Sequence, residues 1–371
     1  MPHPVPIGII QEYEAFWNGT NTNALVSLSS TPGDFKDSAR AKGLFKPWME
    51  DTDWLFAKAT DKAYKTGDFT YLNEFLEMYA YQCEETVYAG VGYPMFVSNL
   101  GAGSLAAMLT GYSYLAENTV WFELDEPWPY DRILALDGFH PYADTVLKTM
   151  ETVVRHLRGR AVISNIDIGG LADVLSSMRR CDGLLYDLYD YPEEATQALD
   201  LLLKFWFKAH DAVDTILRSA NGSLYTHWVG TLSNQPFYPH QCDVSALVGP
   251  EPFRRLLLPT LAAEMARFPA TMYHLDGSHE IVHLDALCES STLRAIQWVP
   301  EPGTLFHDEQ YYPLYKRIIE HGRKIIFSWW YGTSDDLRSL FKIFPREAFF
   351  VAVGGKDTAE HAEYLRIAEG R

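Results

Sequence analysis

The sequence predicts an α/β fold, a (β/α)8 (TIM) barrel preceded by an N-terminal helical extension. Within residues 91–371, short apolar runs alternate with segments of helical periodicity, which is typical of parallel βα units. Nine runs have the length of a strand, close to the eight strands of a barrel. No G-x-G-x-x-G follows a first strand and no G-x-x-x-x-G-K-[ST] occurs. Both absences disfavour an open doubly wound sheet, the alternative, and a nucleotide phosphate loop.

The first 90 residues are expected to be helical or irregular. Residues 1–35 contain Pro2, Pro4 and Pro6 and a polar tract, which indicates irregular structure. Residues 36–67 and 71–89 show helical patterns, and the second carries an apolar stripe. We expect these helices to cover one end of the barrel.

The nine apolar runs follow in a regular order. They are YPMFVSN, TVWFELD, RAVISNIDIGG, GLLYDLYD, SLYTHWVG, ATMYHLDG, LRAIQWVP, KIIFSWWYG and AFFVAVGG. Helical segments such as ADTVLKTMETVVRHL separate most of them, and TVWFELD also fits an extra hairpin or insertion. No linker rich in Pro, Gly or Ser interrupts the chain, and barrels exceed the usual size of one core. Residues 1–371 are therefore expected to form a single domain, with the extension at 1–90 and the barrel at 91–371.

Composition excludes several classes of partner. The formal net charge of −18 argues against nucleic acid and against an anionic membrane surface, since both bind basic patches. No apolar run reaches the length of a membrane span, and the first residues do not resemble a signal peptide. Four dispersed cysteines without a C-x-x-C pair fit a reducing compartment. We expect a cytoplasmic protein with a small-molecule substrate, and outward-facing helices would permit a homodimer.

The pair His274 and Asp276 is the first candidate site. Residues i and i+2 of a strand point to the same side, so the imidazole and the carboxylate converge. The pair could bind a metal, act as acid and base, or support another residue. It also fits an oriented core histidine followed by an aspartate that caps a turn.

Other candidates lie at the ends of the predicted strands, where barrel enzymes build their sites. Asp167 and Asp243 are expected to handle protons beside His274. The predicted substrate contacts are Trp228, Gln297, Trp298, Trp330 and Asn165. Aromatic faces bind sugars, planar rings and cations, although a tryptophan at a strand end also fills cores.

A third ligand for a metal at His274 and Asp276 is sought in the segment YPHQCDVSALVGPEPF. Thiolates and imidazoles are zinc ligands, so Cys242 and His240 are candidates, together with Asp243. Cys242 also fits a small buried hydrophobe. These alternatives stay open.

Several segments within residues 90–371 resemble the uroporphyrinogen decarboxylase superfamily, including its methylcobamide methyltransferase branch. They are QCDVS followed by GPEPF, LLP at 257–259, RAVISNIDIGGLADVL and AIQWVPEPG. The resemblance implies a barrel that transfers a methyl group, with a corrinoid on a partner protein or with a small methylated substrate. It also implies Zn²⁺ held by His274, Asp276 and a further ligand such as Cys242.

Two departures from that superfamily limit the activity. The zinc branch has a His-x-Cys pair and a later cysteine, whereas Asp276 replaces the first cysteine and residues 353–355 contain none. Arg40 is the only arginine before residue 130, so the arginine-rich motif that binds porphyrinogen carboxylates is missing. Porphyrinogen decarboxylation is therefore not expected.

Two further functions remain open alongside methyl transfer. A hydrolase or lyase of carbohydrate-like or aromatic ether substrates would use carboxylates about 5–10 Å apart across an open cleft. A non-catalytic corrinoid- or ligand-binding homologue would have a pocket filled by side chains.

Overall fold

A computed structural model describes residues 5–50, 52–116, 119–355 and 357–371. In these ranges the strands are β1 (Leu25–Ser30), β2 (Val87–Gly90), β3 (Met95–Phe96), β4 (Tyr114–Leu115), β5 (Val120–Trp121), β6 (Val162–Ile163), β7 (Tyr225–Thr226), β8 (Leu232–Ser233), β9 (Pro239–His240), β10 (Thr271–Asp276), β11 (Leu293–Val299), β12 (Lys324–Phe327) and β13 (Phe349–Gly354).

Helices surround these strands. They are α1 (Ile7–Asn18), α2 (Phe35–Ala41), α3 (Leu55–Thr66), α4 (Thr70–Glu85), α5 (Ser104–Thr110), α6 (Tyr130–Leu134), α7 (Tyr142–Leu157), α8 (Leu171–Arg179), α9 (Cys181–Asp190), α10 (Pro192–Asn221), α11 (Pro250–Pro252), α12 (Leu258–Met265), α13 (Leu284–Cys288), α14 (Tyr312–Glu320), α15 (Ser334–Ile343) and α16 (Thr358–Glu369). Among the helices of the described ranges, none is long and apolar enough to cross a membrane.

The central sheet confirms the predicted α/β class. Its order within the described residues is β2-β1-β13-β12-β11-β10-β9. Every neighbouring pair is parallel except β1 with β2. The sheet ends at β2 and β9, so it is not closed into a continuous barrel in this part of the chain.

Side-chain hydrogen bonds explain why the ladder stops beside β6. This strand pairs in parallel with β3 over two residues only. The amide of Asn221, at the end of α10, then takes the place of a neighbouring strand, since it accepts from Ile163 N at 3.0 Å and donates to Ile163 O at 2.7 Å. On the other side, the Ser164 hydroxyl accepts from Ser98 N. Side chains thus satisfy backbone groups that a continuous ladder would pair.

The prediction that residues 1–90 form only helices and irregular segments is wrong. β1 lies inside the central sheet, parallel to β13 and antiparallel to β2. Ser27 and Ser29 of β1 line a cavity, so its inward face carries hydroxyls instead of apolar residues. Val26 and Leu28 alternate with these serines, but the alternation covers only four residues and is a weak signal for a strand in sequence.

Two other runs differ from the prediction or refine it. GLLYDLYD forms α9 instead of a strand, with Leu184 and Leu188 buried one helical turn apart. TVWFELD contributes β5, which pairs antiparallel with β4 outside the central sheet, as the hairpin alternative expected.

The two faces of the central sheet pack against different partners. Side chains of alternate residues pack with α1 into one core, which includes Leu25, Met272, Ala295, Ile326 and Phe350. The intervening side chains pack into the layer between strands and outer helices, as Tyr273, Ile296, Phe327 and Val351 do. Two residues further along the α1-facing side come His274, Gln297, Ser328 and Ala352. The carboxyl ends of the strands therefore carry polar groups above an apolar floor.

Candidate functional site

A cavity of about 760 Å³ opens at the carboxyl ends of the central strands. This volume lies in the range of small-molecule sites. Of the predicted site residues, the following line it: Asn165, Asp167, Trp228, Asp243, His274 and Trp330. Asp276, Cys242, Gln297 and Trp298 are not among the described lining residues.

Asp243, His274 and Asp276 converge on one point. One ring nitrogen and one oxygen from each carboxylate lie within 4.8 Å of one another. His274 and Asp276 come from β10, whereas Asp243 begins the 3₁₀ helix Asp243–Leu247. The convergence of His274 and Asp276 follows from their i, i+2 spacing. Asp243 supplies the third position for which the sequence left three candidates.

Gln297 orients the imidazole of His274. The two residues are direct neighbours on the parallel strands β10 and β11, and Nδ1 of His274 lies 2.7 Å from Oε1 of Gln297. Nδ1 therefore donates, and Nε2 is the nitrogen left to bind a ligand. Gln297 is fully buried, so its predicted contact with substrate is replaced by a contact with His274.

Asp173, which sequence analysis missed, fixes the loop that carries Asp243. Its carboxylate accepts from Asp243 N at 3.1 Å and from Val244 N at 2.8 Å. Asp173 lies in the first turn of α8, where aspartates commonly interact favourably with the helix dipole. In sequence it could not be distinguished from such a residue, because only the fold brings α8 next to the loop.

The turn after Asp276 is fixed from β11. Gly277 has a φ of 82°, a left-handed conformation that glycine adopts without steric cost. The Glu301 carboxylate then accepts from Ser278 N at 2.6 Å and from the Tyr311 hydroxyl at 2.6 Å. Although burial opposes it, these hydrogen bonds lower the pKa of Glu301 to about 2. An ionised Glu301 thus holds the backbone next to Asp276.

Burial raises the pKa of three carboxyl groups at the site, those of Asp167, Asp243 and Asp173. Burial, reinforced by the charge of Asp243, raises the pKa of Asp167 to about 7. Burial and the neighbouring Asp276 raise the pKa of Asp243 to about 7. Burial, again with Asp243, raises the pKa of Asp173 to about 8. A cation placed among these groups would lower all three values.

The donor set fits a divalent metal ion. Oδ1 of Asp243 is buried and has no hydrogen-bond partner among the described residues, a costly state that a bound cation would relieve. Two carboxylates and one imidazole are ordinary zinc ligands, and three protein ligands leave a position open for substrate or water. The residues present therefore fit a metal, with a donor set that differs from the predicted one by Asp243 in place of Cys242.

Cys242 does not belong to this cluster. Its side chain is buried, and burial keeps the pKa of the thiol well above its ordinary value. Its sulfur is not among the ligand atoms that converge in the Asp243, His274 and Asp276 cluster. The cysteine packs in the main core, so the prediction that Cys242 binds the metal is wrong, and the small-hydrophobe alternative describes it.

His240 and Trp298 also lie outside the cavity. His240 is fully buried and its Nδ1 lies 2.6 Å from Oε1 of Glu264. Trp298 is fully buried between strands and helices, with its ring 5.0 Å from that of Tyr311. Its neighbour Gln297 faces the other side of β11. The prediction that Trp298 contacts substrate is therefore wrong, because a shift of one residue changes the face of a strand.

One wall of the cavity comes from the N-terminal segment. Neutral polar and aromatic side chains from β1, α4, β2 and the residue before α3 line this wall; they include Ser27, Ser29, Trp54, Tyr79, Gln82 and Tyr88. These residues belong to the segment 1–90, which was expected to cover one end of the barrel. The apolar stripe of α4 contains Tyr79, whose hydroxyl bonds the backbone of Met95. Only the position of β1 inside the sheet brings this wall to the site.

Asn165 lines the cavity, but its side-chain amide already contacts backbone groups of the protein. Its Oδ1 accepts from Ile166 N at 2.8 Å, and its Nδ2 lies 3.5 Å from His210 O. It therefore shapes the wall on which Asp167 stands.

Comparison with protein-family models gives no match, and comparison with curated proteins gives no significant match.

Proposed function

We propose that the chain is a metal-dependent enzyme, a divergent relative of the uroporphyrinogen decarboxylase-like methyltransferases. The observation that carries the proposal is the convergence of Asp243, His274 and Asp276 beside a cavity of about 760 Å³. Such a cavity is large enough for a small methylated substrate.

We also propose that the strands follow a distorted (β/α)8 barrel. The first and last strands of the central sheet, β1 and β13, pair in parallel, as the first and last strands of a barrel do. The two short pairs β3–β6 and β7–β8 would occupy the sector between β2 and β9. The position of the site at the carboxyl ends of the strands agrees with this architecture.

Zn²⁺ is the metal proposed, held by Asp243, His274 and Asp276. When bound, it would supply a Lewis acid that polarises a substrate oxygen or stabilises a thiolate. Gln297 keeps the imidazole oriented, and Asp173 keeps the Asp243 loop in place. Asp167, which lines the same cavity, would exchange a proton with the substrate at its carboxylate.

Methyl transfer is the leading reaction. Its acceptor would be a corrinoid carried by a partner protein, or the corrinoid would be the methyl donor to a small molecule. The four cysteines are unpaired by disulfides, which agrees with a cytoplasmic enzyme. The open cavity counts against the non-catalytic alternative, which predicted a filled one.

A metal-assisted hydrolase or lyase is the second candidate. The raised pKa of Asp167 favours it, since a carboxylic acid that is still protonated near pH 7 can protonate a leaving group. The close approach of Asp243 and Asp276 favours a shared metal over an acid and nucleophile placed on opposite sides of a sugar bond. Hydrolysis in ¹⁸O-labelled water would introduce the label into a product, whereas methyl transfer would not.

Metal analysis of the purified protein tests the proposal first. We expect one zinc per chain, lost in His274→Ala and in Asp276→Asn but kept in His279→Ala, a histidine that is exposed nearby. Methylcobalamin and a panel of methyl donors or acceptors then test the reaction through the corrin absorbance. No bound metal in the wild type would overturn the zinc proposal, and bound zinc without any corrin change would favour the second candidate.

A further inference from the structure

The cavity has an unusual balance of charge. None of the described residues that line it is a lysine or an arginine. The ionisable acids that line it are Asp167 and Asp243, accompanied by His274. The net charge of the chain is −18, so the surrounding field also attracts cations and repels anions. A substrate that carries a carboxylate or a phosphate would meet no counter-charge among these side chains.

Asp167 remains available when a metal occupies the neighbouring cluster. Its Oδ1 accepts from Gly169 N at 3.0 Å, and no other N–H or O–H of the described residues donates to its side chain. A carboxylate has about four acceptor positions. A cationic ligand in the cavity would itself favour the ionised form of Asp167.

Aromatic side chains line the same cavity as this carboxylate. The Trp228 ring stands 6.0 Å from the Tyr238 ring. The Tyr238 hydroxyl in turn bonds the backbone of Ile166 and Ile168, on either side of Asp167. Trp330 lines the cavity from the segment that follows β12, and its neighbours Trp329 and Tyr331 are exposed lining residues. Indole and phenol faces attract cations that have shed part of their water.

We propose that the cavity selects an organic cation, a ligand with a methylated ammonium group, in preference to its neutral or anionic analogue. Asp167 is the counter-ion, and Trp228 and Trp330 are the aromatic faces. The inference rests on the proposed function in one respect, namely that this cavity is where the substrate binds. It adds the chemical class of that substrate.

Three ligands of nearly the same shape test this selectivity: choline, 3,3-dimethylbutan-1-ol and 3,3-dimethylbutanoate. Calorimetry on the full chain in chelator measures each affinity, because a bound zinc with an open position would itself attract the carboxylate ligand. We expect choline to bind at least about tenfold more tightly than the alcohol, from the carboxylate and from cation–π contacts, and the carboxylate ligand to bind least. Equal affinities for choline and the alcohol, or tighter binding of the carboxylate, would overturn the proposal.

Variants assign the selectivity to residues. Asp167→Asn is expected to remove most of the preference for choline, while the alcohol itself binds as before. Asp200→Asn, an exposed aspartate on α10, should change neither affinity. Trp228→Leu should weaken choline more than the alcohol. Equal losses for both ligands in both site variants would indicate damage to the cavity and would refute the assigned roles.

The outcomes separate this inference from the proposed function. Choline selectivity in a protein that binds no zinc would support the cation site and overturn the metal proposal. Zinc binding without choline selectivity would support the metal proposal and overturn the cation site. His274→Ala should lose zinc and still prefer choline to the alcohol, because Asp167 and the aromatic faces remain.

Discussion

His274 and Gln297 are direct neighbours on two parallel strands, and Nδ1 of the imidazole lies 2.7 Å from Oε1 of the amide. The register of the sheet therefore decides which ring nitrogen faces the candidate metal site. A ligand histidine is commonly held in this way by a carboxylate, a carbonyl or water. Here a buried side-chain amide has that role.

Replacement of Gln297 should weaken metal binding without removing any ligand. We expect Gln297→Leu to lower zinc affinity about 10- to 100-fold, because His274 loses the acceptor that fixes its tautomer. Competition with a chromophoric chelator measures this affinity. Gln82→Leu alters a glutamine elsewhere on the cavity wall and serves as the control. Unchanged zinc affinity in Gln297→Leu would show that the hydrogen bond has no part in the site.

The titration of Asp167 should leave a signature in stability. Its pKa is about 7 in the folded chain against an ordinary value of 3.8, so the folded state keeps a proton that the unfolded state releases. This contribution is fully present below pH 3.8 and is lost as the pH rises to about 7. In chelator, Asp167→Asn should therefore gain stability relative to the wild type between about pH 4 and pH 7. Urea denaturation across this range measures the difference, and a constant difference would contradict the raised pKa.

Cys242 provides a test of the corrected ligand set. Cys242→Ala should keep one zinc per chain, because its thiol is buried, neutral and outside the cluster. Asp243→Asn should lose zinc, since it supplies one of the three ligands. Metal analysis of both purified variants measures the contrast. Loss of zinc in Cys242→Ala with Asp243→Asn unaffected would restore the ligand set first predicted from the sequence.

Two tryptophans should respond in opposite ways. Trp298 is fully buried, so Trp298→Ala should cost about 3–5 kcal/mol of stability, and Trp298→Phe should restore part of it. Trp329 is 47% exposed at the cavity rim, so Trp329→Ala should cost about 1 kcal/mol or less and weaken ligand binding. Thermal unfolding and calorimetry measure both effects. A large loss of stability in Trp329→Ala would place that side chain in the core.

The buried pair His240 and Glu264 should matter for stability and not for metal binding. Burial lowers the pKa of His240 to about 3 and raises the pKa of Glu264 well above its ordinary value. The carboxylic acid therefore donates to Nδ1 of a neutral imidazole. Glu264→Leu would leave that nitrogen unpaired and should cost about 1–3 kcal/mol, whereas Glu264→Gln keeps a donor and should cost less. A Gln variant as unstable as the Leu variant would contradict the pairing.

The elements that could be predicted from the sequence are those marked by local periodicity. Strands such as ATMYHLDG and LRAIQWVP were predicted correctly because each is rich in apolar and aromatic residues over the length of a strand. GLLYDLYD was assigned to the wrong class because its leucines satisfy both a short strand and one helical face. β1 was missed because serines on its inward face interrupt the apolar pattern.

Some residues of the candidate site could likewise be predicted from the sequence, and others could not. His274 and Asp276 could be paired from sequence because the distance between them is one repeat of a strand. Asp243 could be found as a candidate but not chosen, since Cys242 lies next to it and only the path of the loop decides which one faces β10. Gln297 and Trp298 show the limit most directly. They are adjacent in sequence, and a single residue of register separates the neighbour of the imidazole from a core side chain.

The place of β1 has a consequence for how the chain folds. Leu25 pairs with Phe350. β1, near the beginning of the chain, therefore cannot complete its pairing in the sheet until β13, near the end, is present. Contacts so distant in sequence slow folding and expose unpaired edges in the meantime. During synthesis β1 would have β2 as its early neighbour and would acquire β13 only after nearly the whole chain has emerged. The cavity wall that includes β1 is therefore completed last. Ligand binding would report that the whole chain has folded.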